Sequence, residues 1–331
     1  NKLFKKTLYN TDLKKSLDTY LSDFFQVINF YHNNIDLLHN SLVFNTLPEC
    51  LISNIISYGC SPKNKQPNSI NIFEFCIKFI NDNITYPNIH TRCKFAKYCI
   101  NYSNGKYTGE TIVENTKHIN LLIQKVVELF ISIEKDESNL EFYERLEPRY
   151  YIIDFIYRIL IHKDLHNQLS TILNNDDIIQ FTFFVLNDYN YLMDDIFNKI
   201  HLIYDHENYI IDLEPTQYTN YEKIVRSYMD FICCMEDFLI NIATHYPEYL
   251  LNSTIIDKLI CSLNYNIDNI LGKDKNKLNI KKPNNCNFNQ NKILEYYSNF
   301  LIVLYKKTKD KFPGKLSLAI ANDKRSYNRE N

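Results

Sequence analysis

Glycine and proline are scarce in this chain, and their scarcity limits the folds that it can adopt. Only 5 glycines and 9 prolines occur in 331 residues. Tight turns between strands depend on glycine, which tolerates positive φ, and on proline. A fold of many short hairpins would therefore need more glycines and prolines than this chain has. Because 45% of the residues are hydrophobic, the chain can still bury a sizeable core. These two properties together favour a mostly helical protein.

Apolar residues recur at three- and four-residue spacing along most of the chain, which is typical of amphipathic helices. The pattern predicts helices over residues 48–58, 70–80, 88–100, 119–133, 151–161, 177–186, 189–204, 221–243, 254–271 and 290–306. Short polar loops separate them, and no stretch alternates as a strand would. We therefore expect an all-α fold of stacked helical pairs, an armadillo- or HEAT-like solenoid or a compact bundle, in one elongated domain.

Several residues mark where these helices begin and end. Asp176 and Asp188 are good N-cap residues, and they predict two separate helices in this part of the chain. Pro148 predicts a boundary before the helix that begins at Tyr151, and Gly272 predicts a C-terminal cap. After Gly272, the longest irregular stretch extends to Asn289. Within the helix 151–161, Asp154 and Arg158 have the spacing of an ion pair.

Charge and cysteine usage exclude several classes of protein. The 37 basic and 39 acidic residues give a net charge of -2, which offers no electrostatic drive toward nucleic acid or an anionic membrane. No apolar run reaches the ~18 residues that a membrane span needs. The chain has 9 cysteines, an odd number, and no C-x-x-C motif. This usage predicts that the thiols are packed among apolar residues and that the protein resides in a reducing compartment, the cytoplasm or the nucleus. Because the chain begins without Met, we expect it to be part of a longer protein.

Two polar clusters resemble the metal-binding motifs of class I terpene cyclases. Asp194 and Asp195, followed by Asn198, resemble the D-D-x-x-D motif, although the last position is not acidic. The second motif, N-D-x-x-S-x-x-x-E, is matched by Asn322, Asp323, Ser326 and Glu330. On facing helices these oxygen ligands could hold Mg²⁺ and a diphosphate. Lys324 replaces an aliphatic residue of that motif, and short patterns of this kind arise easily in a chain rich in Asn and Asp.

Two further patterns indicate no specific chemistry. His162 and His166 share a helical face, but Lys163 stands where a zinc protease needs Glu. Five lysines form a basic loop without an aromatic platform for bases, and such a loop is usually solvated. Those lysines are Lys273, Lys275, Lys277, Lys281 and Lys282.

A series of blocks in the order and spacing of one known family carries the clearest functional signal. The blocks are LPECLISNIISY (47–58), FCIKFINDNITYPNIHTRCKFAKYCI (75–100), HINLLIQKVVELFISIE (118–134), FYERLEPRYYIIDFIYRIL (142–160), FTFFVLNDYNYLMDD (181–195), LICSLNYNIDNILG (259–272) and AIANDKRSY (319–327). A lysine-rich loop ending in Pro283 and Phe288 lies between the last two. The series resembles the core domain of ubiquitin conjugation factor E4, the U-box chain-elongation ligases. We place this core at 44–331 and an unassigned N-terminal helical extension at 1–43.

The resemblance implies a function in the ubiquitin system. Family members extend ubiquitin chains on substrates that already carry ubiquitin, act beside an AAA ATPase segregase and deliver substrates to the proteasome. Their U-box, which recruits the ubiquitin-conjugating enzyme, follows the R-S-Y segment after a further helical stretch, so we expect it downstream of Asn331. The family needs no metal or cofactor and holds no covalent ubiquitin.

Under this resemblance the polar clusters are structural. The resemblance implies that they form helix caps and contacts between helices, so we expect no catalytic, cofactor-binding or metal-binding residue in this chain. The residues concerned are Asn187, Asp188, Asp194, Asp195, Asp323 and Arg325. Two alternatives stay open at this point: the magnesium-dependent cyclase, and an armadillo-like scaffold outside the ubiquitin system.

Overall fold

The structure, a computed structural model, describes residues 70–84, 86–103, 116–135, 142–162, 165 and 169–323, with single helical residues in the segments 16–26 and 52–56. Contacts divide the chain into two compact units, residues 1–152 and 153–331. The sequence indicated one domain because no linker was visible. The boundary lies inside a helix, Phe142–Ile161, so no change of composition marks it. The division at residues 43 and 44 stays a prediction.

In the first unit, three described helices precede the boundary helix. They are α1 (Ile70–Phe79), α2 (Ile89–Ser103) and α3 (Thr116–Lys135), followed by α4 (Phe142–Ile161), which continues into the second unit. Tyr86, Phe75, Phe79 and Phe95 form an aromatic cluster, with ring centroids 4.8 to 6.3 Å apart. This cluster fixes α1 against α2 because buried rings in edge contact add to the free energy of burial.

The α3 helix of the first unit carries a buried ion pair to α4. The guanidinium of Arg149 is 1% exposed, pairs with Glu134 and lies 5.6 Å from the ring of Phe130. An exposed pair, Lys97 to Glu147 at 2.8 Å, joins α2 to α4. Removing one partner of a buried pair leaves an uncompensated charge, so the first pair matters far more to stability than the second.

The second unit is built on two long helices. Its described helices are α5 (Leu169–Ile172), α6 (Asn175–Glu207), α7 (Pro215–His245), α8 (Pro247–Leu250), α9 (Ser253–Leu271), α10 (Pro283–Cys286), α11 (Gln290–Thr308) and α12 (Lys315–Asn322). The α6 and α7 helices pack against each other, α9 packs on α6, and α11 packs on α7. The core side of α7 is lined by Val225, Ile232 and Met235, each fully buried. Apolar residues at three- and four-residue spacing therefore make one continuous face.

The predicted break in the middle of α6 is wrong. The helix runs without interruption through 33 residues, its N-cap is Asn174, and the Asn174 side chain accepts the N–H of Asp177 at 2.8 Å. Asp176 lies in the first turn, and Asp188 is buried in the middle of the helix. The continuous apolar face on both sides of Asp188, with no Gly or Pro, outweighs the capping preference of a single Asp.

Other boundaries shift for local reasons. Pro148 lies inside α4, where it removes one backbone donor but does not end the helix. The stretch from Gly272 to Asn289 contains a 3₁₀ helix (Lys275–Leu278) and α10. Gly272 is the C-cap of α9, as predicted, with φ -77°. The helices predicted at 70–80, 88–100, 119–133, 254–271 and 290–306 are confirmed.

The all-α class is confirmed: no strand occurs in the described part of the chain. The elongated solenoid stays a prediction. Among the described residues, no helix is long and apolar enough to cross a membrane. The predicted pair of Asp154 and Arg158 is present at 2.9 Å. The helix predicted at 48–58 lies outside the described residues apart from Ile52 and Ile56, which are helical and buried.

Candidate functional site

The first polar cluster lies along the seam between α6 and α9. The hydroxyl of Ser262 donates to Asn190, and the hydroxyl of Tyr265 donates to Asp194. The other acidic residue of the doublet, Asp195, accepts from Lys199 at 2.6 Å on its own helix. The side chains of the doublet therefore take part in helix packing and in an ion pair along α6.

The second cluster reaches the same turn of α9. The Asn264 amide donates to Asp323, the C-cap of α12, at 2.6 Å. Because Asn264 and Tyr265 are neighbours, the two clusters that the sequence singled out meet on one turn of α9. Asn322 is exposed, and Ser326, Glu330 and Arg325 lie outside the described residues.

This geometry gives the cyclase interpretation no support. Asp194 and Asp323 each accept a hydrogen bond from α9, which ties three helices of the second unit together. In the part of the chain that the structure describes, no three His, Cys, Asp or Glu side chains group as metal ligands would. The prediction that the clusters form contacts between helices is confirmed for these two residues. Asn187 is half-buried on α6 and its role stays a prediction.

A buried network that the sequence analysis missed lies where α6, α7 and α11 meet. The hydroxyls of Tyr189 and Tyr297 are 2.9 Å apart, and that of Tyr189 donates to Glu236 at 3.2 Å. Both tyrosines are at most 2% exposed. Asn266 of α9, fully buried, lies against Tyr297. The network thus joins two phenols inside the apolar core to one half-buried carboxyl.

Burial decides the protonation of this network. Desolvation raises the pKa of Glu236 from 4.5 to about 8, against the opposing effect of the Tyr189 hydroxyl, while the charge of Asp237 raises it further. Desolvation likewise raises the pKa of Tyr189 well above its ordinary value. The carboxyl is therefore mostly protonated at neutral pH. A perturbed carboxyl in a cleft would suggest catalysis, but this one is half-buried and accepts from the hydroxyl of a core tyrosine, Tyr189.

Four of the described thiols are poorly suited to nucleophilic chemistry. Desolvation raises the pKa of Cys93, Cys234 and Cys286 to about 12. The pKa of Cys233, which is more exposed, rises to about 11 through partial desolvation and the nearby acidic residues Glu236, Asp237 and Asp230. A thioester requires a thiolate, which these environments disfavour. The expected packing is confirmed for Cys76, Cys99 and Cys286, which are buried, but Cys233 is exposed. Cys50 and Cys60 lie outside the described residues, as does His166.

Sequence spacing contained a signal for Glu236 but not for its partners. Glu236 follows Ile232 by four residues and precedes Leu239 by three, so it shares a helical stripe with two buried residues of α7 and is itself half-buried. Tyr189 and Tyr297 are 108 residues apart in the chain, and no local pattern of the sequence predicts their contact. The same holds for the α9 residues that meet the two acidic clusters.

The class of protein that emerges is an all-α protein whose polar clusters join helices. The family model described as the ubiquitin elongating factor core matches residues 10–331. The chain therefore belongs to the ubiquitin elongating factor core family. The match also covers most of the segment 1–43 that we set apart as an extension.

Similar proteins come from yeasts and a plant. The chain is 22% identical over 317 residues to ubiquitin conjugation factor E4 of Schizosaccharomyces pombe, which covers 87% of this chain and 30% of that protein. It is 24% identical over 231 residues to a probable ubiquitin conjugation factor E4 of Arabidopsis thaliana, over 64% of this chain and 22% of the relative. It is 23% identical over 239 residues to the E4 ubiquitin-protein ligase UFD2 of Saccharomyces cerevisiae, over 66% of this chain and 24% of the relative.

The chain thus spans between about a fifth and a third of the length of these relatives. Membership of this family replaces both alternatives left open by the sequence. A terpene cyclase and a scaffold outside the ubiquitin system would each belong to a different family, whereas the match extends over nearly all of this chain.

Proposed function

We propose that this chain is the scaffold core of a ubiquitin chain-elongation ligase, acting in polyubiquitination and in proteasomal degradation. The observation that carries the proposal is the family match over residues 10–331. A relative of this chain is named an E4 ubiquitin-protein ligase. In such a ligase the rate comes from holding a charged conjugating enzyme beside an acceptor, so a rigid helical stack contributes effective molarity.

The chain itself carries no catalytic residue in this proposal. The high pKa values of Cys93, Cys233, Cys234 and Cys286 support this, because none of these thiols favours the thiolate that would accept ubiquitin. Glu236 is half-buried and accepts from the hydroxyl of Tyr189, which is consistent with a structural role. The U-box, to which the family resemblance assigns the conjugating enzyme, would supply the remaining surface.

We propose for this chain the partners that the family resemblance implies. They are ubiquitinated substrates, an AAA ATPase segregase, and a ubiquitin-conjugating enzyme bound through the U-box. The compartment we propose is the cytoplasm, the nucleus or both.

A thioester trap tests the absence of a catalytic cysteine. The chain is incubated with activating enzyme, a charged conjugating enzyme and ubiquitin, and the products are separated without reductant. We expect no reductant-sensitive ubiquitin adduct on the chain and no chain growth on a ubiquitinated substrate. A ubiquitin adduct that reductant removes and that a Cys233→Ser variant lacks would place a covalent step in this chain and contradict the proposal.

A further inference from the structure

The solvent-facing side of α11 carries two large apolar side chains near its C-terminal end. Ile302 is 51% exposed and Tyr305 is 53% exposed. They lie three residues apart, so they are neighbours on the surface of the helix. Neither belongs to the buried face of α11, which is formed by Ile293, Tyr297, Phe300 and Leu304. Single exposed apolar residues need no explanation, but two adjacent ones can anchor a partner.

A basic tract begins directly after these two residues and extends over residues 306–315. It contains five lysines and one aspartate, a net charge of +4, in a chain whose net charge is -2. Lys306 and Lys309 follow Ile302 by four and seven residues, so they continue along the same face of the helix. The apolar pair and the start of the basic tract therefore share one surface.

Backbone hydrogen bonds order the connection between α11 and α12. The N–H of Phe312 donates to the Thr308 carbonyl at 2.8 Å, and the N–H of Lys315 donates to the Phe312 carbonyl at 3.3 Å. The ammonium of Lys315 lies 5.9 Å from the centre of the Phe312 ring. The tract is therefore part of the folded second unit. We define the α11-end surface as Ile302, Tyr305, Lys306, Lys307, Lys309, Lys311 and Lys315.

Helix stability explains only part of this positive charge. Lys306 and Lys307 lie in the last turn of α11, where the helix dipole favours a cation. Lys315, in contrast, is the first residue of α12, where the dipole disfavours a cation. All five lysines are exposed, and none forms an ion pair with another residue that the structure describes. Their charge is thus available to a partner.

Carboxylates on the neighbouring helices leave these lysines in excess. The helices α7, α8 and α9 pack against α11, and α9 also packs against α12. No carboxylate follows Asp237 in α7. Glu248 of α8 and Asp257 of α9 are exposed and form no ion pair with the tract, and Asp257 has Lys258 beside it in the sequence. Glu295, on α11 itself, precedes the tract by about 16 Å along the helix axis.

This excess of charge favours a short acidic peptide over other anions. The tract contains no arginine, so it lacks the planar fork that binds a phosphate group through two hydrogen bonds. Because the whole chain has a net charge of -2, the part outside the tract is acidic. Duplex nucleic acid or an anionic membrane would extend beyond the tract and meet that acidic part. A short peptide would contact the tract alone.

We propose that the α11-end surface is a docking site for a short acidic peptide segment that carries apolar side chains. The apolar residues of the peptide contact Ile302 and Tyr305, and its carboxylates face the five lysines. Nothing in this proposal depends on ubiquitin transfer, so it can fail without affecting the proposed function.

The test measures binding of labelled twelve-residue peptides to the chain by fluorescence anisotropy. The first peptide consists of Glu with two Leu, the second replaces Leu by Ser, and the third replaces Glu by Gln. We expect the first peptide to bind, with an affinity that falls as salt rises. The other two should bind at least about fivefold more weakly.

Two variants assign the binding to this surface. Lys315→Glu puts an acidic residue in the first turn of α12, where the dipole favours it, so the melting temperature should stay the same or rise. The same variant should weaken the first peptide by about fivefold, with a smaller loss at high salt. Ile302→Ala keeps a good helix former and should also weaken it by about fivefold.

The matched controls are Ile210→Ala and Lys282→Glu, at the far end of the second unit. Ile210 is 64% exposed, and Lys282 is exposed and follows Lys281, which bonds to the last residue of α6. The opposite end of α6 bonds to α8 through Asn175 and Tyr249, and α8 packs on α11. Because α6 has 33 residues, its two ends are about 50 Å apart. Both controls should bind the first peptide within about twofold of the natural chain.

Three results would overturn the proposal. One is no binding of the first peptide at concentrations up to about 1 mM. Another is equal loss of binding in the α11-end variants and in the controls. The last is binding to duplex DNA or to phosphatidylserine vesicles without binding to the peptide, which would show that the tract serves a different anion.

Discussion

The half-buried, desolvated carboxyl of Glu236 should make the stability of the second unit depend on pH. Its pKa is 4.5 in the unfolded chain and about 8 in the folded one, so the folded state binds the proton more tightly. The stability that this carboxyl contributes is therefore fully present below pH 4.5. It is lost as the pH rises toward and through 8, because the folded state must then enclose a carboxylate.

The size of this effect follows from the separation of the two pKa values. About 3.5 pH units at ~1.4 kcal/mol per unit set a ceiling of about 5 kcal/mol. Local relaxation and water near a half-buried side chain reduce such values, so we expect roughly 2 kcal/mol to be lost between pH 5 and pH 8. The variant Glu236→Gln has nearly the same shape, can still accept from Tyr189 and does not titrate.

The assay is urea unfolding of the chain and of the variant at pH 5, 6.5 and 8. We expect Glu236→Gln to gain about 2 kcal/mol relative to the natural chain on going from pH 5 to pH 8. Glu248→Gln, which replaces an exposed carboxyl on α8, should follow the natural chain at every pH. A difference between Glu236→Gln and the natural chain that is the same at pH 5 and pH 8 would refute the reasoning.

Three further predictions concern stability and metal binding. Arg149→Ala should lower the free energy of unfolding by about 3 kcal/mol, because it leaves the charge of Glu134 unpaired. Lys97→Ala, in the exposed pair with Glu147, should lower it by less than ~1 kcal/mol. Equal losses for the two variants in urea unfolding would contradict the argument from burial. Tyr209, which follows α6, has φ 60°, a left-handed conformation that glycine adopts without strain. In calorimetry, Tyr209→Gly should therefore not lower the melting temperature, and a clear fall would show that the ring stabilises the fold. Magnesium with a prenyl diphosphate should leave the melting temperature unchanged, and a rise of several degrees would revive the metal site at Asp194 and Asp323.

Local patterns predicted the helices better than their connections. The spacing of apolar residues predicted α1, α2, α3, α9 and α11, because an amphipathic face is a local property of the sequence. It failed at Asp188, where a good capping residue lies inside a helix of 33 residues. The buried apolar face of α6 continues on both sides of Asp188, and its packing favours an uninterrupted helix. An N-cap stabilises a helix by only about 1 kcal/mol, which is too little to outweigh that packing.

The polar contacts depended on distant residues and could be predicted only in part. Sequence patterns singled out Asp194 and Asp323, but not their donors Tyr265 and Asn264, which show no distinctive local pattern. The Tyr189 network was missed for the same reason. The strained conformation at Tyr209 also has no local signal, since tyrosine is an unfavourable choice for a left-handed position.

The central claim is that this chain contributes the scaffold of a chain-elongating ligase and not its catalytic surface. The most direct measurement compares chain growth on a ubiquitinated substrate, with activating and conjugating enzymes, for three proteins. These are the chain alone, a family U-box alone, and the chain joined to that U-box through its C-terminus.

We expect the chain alone to be inactive, and the joined protein to extend ubiquitin chains about tenfold faster than an equimolar mixture of the two separate parts. Equal chain growth by the mixture and the joined protein would show that the scaffold contributes nothing by positioning. Chain growth by the chain alone would show that the catalytic surface lies within it, and would contradict the account.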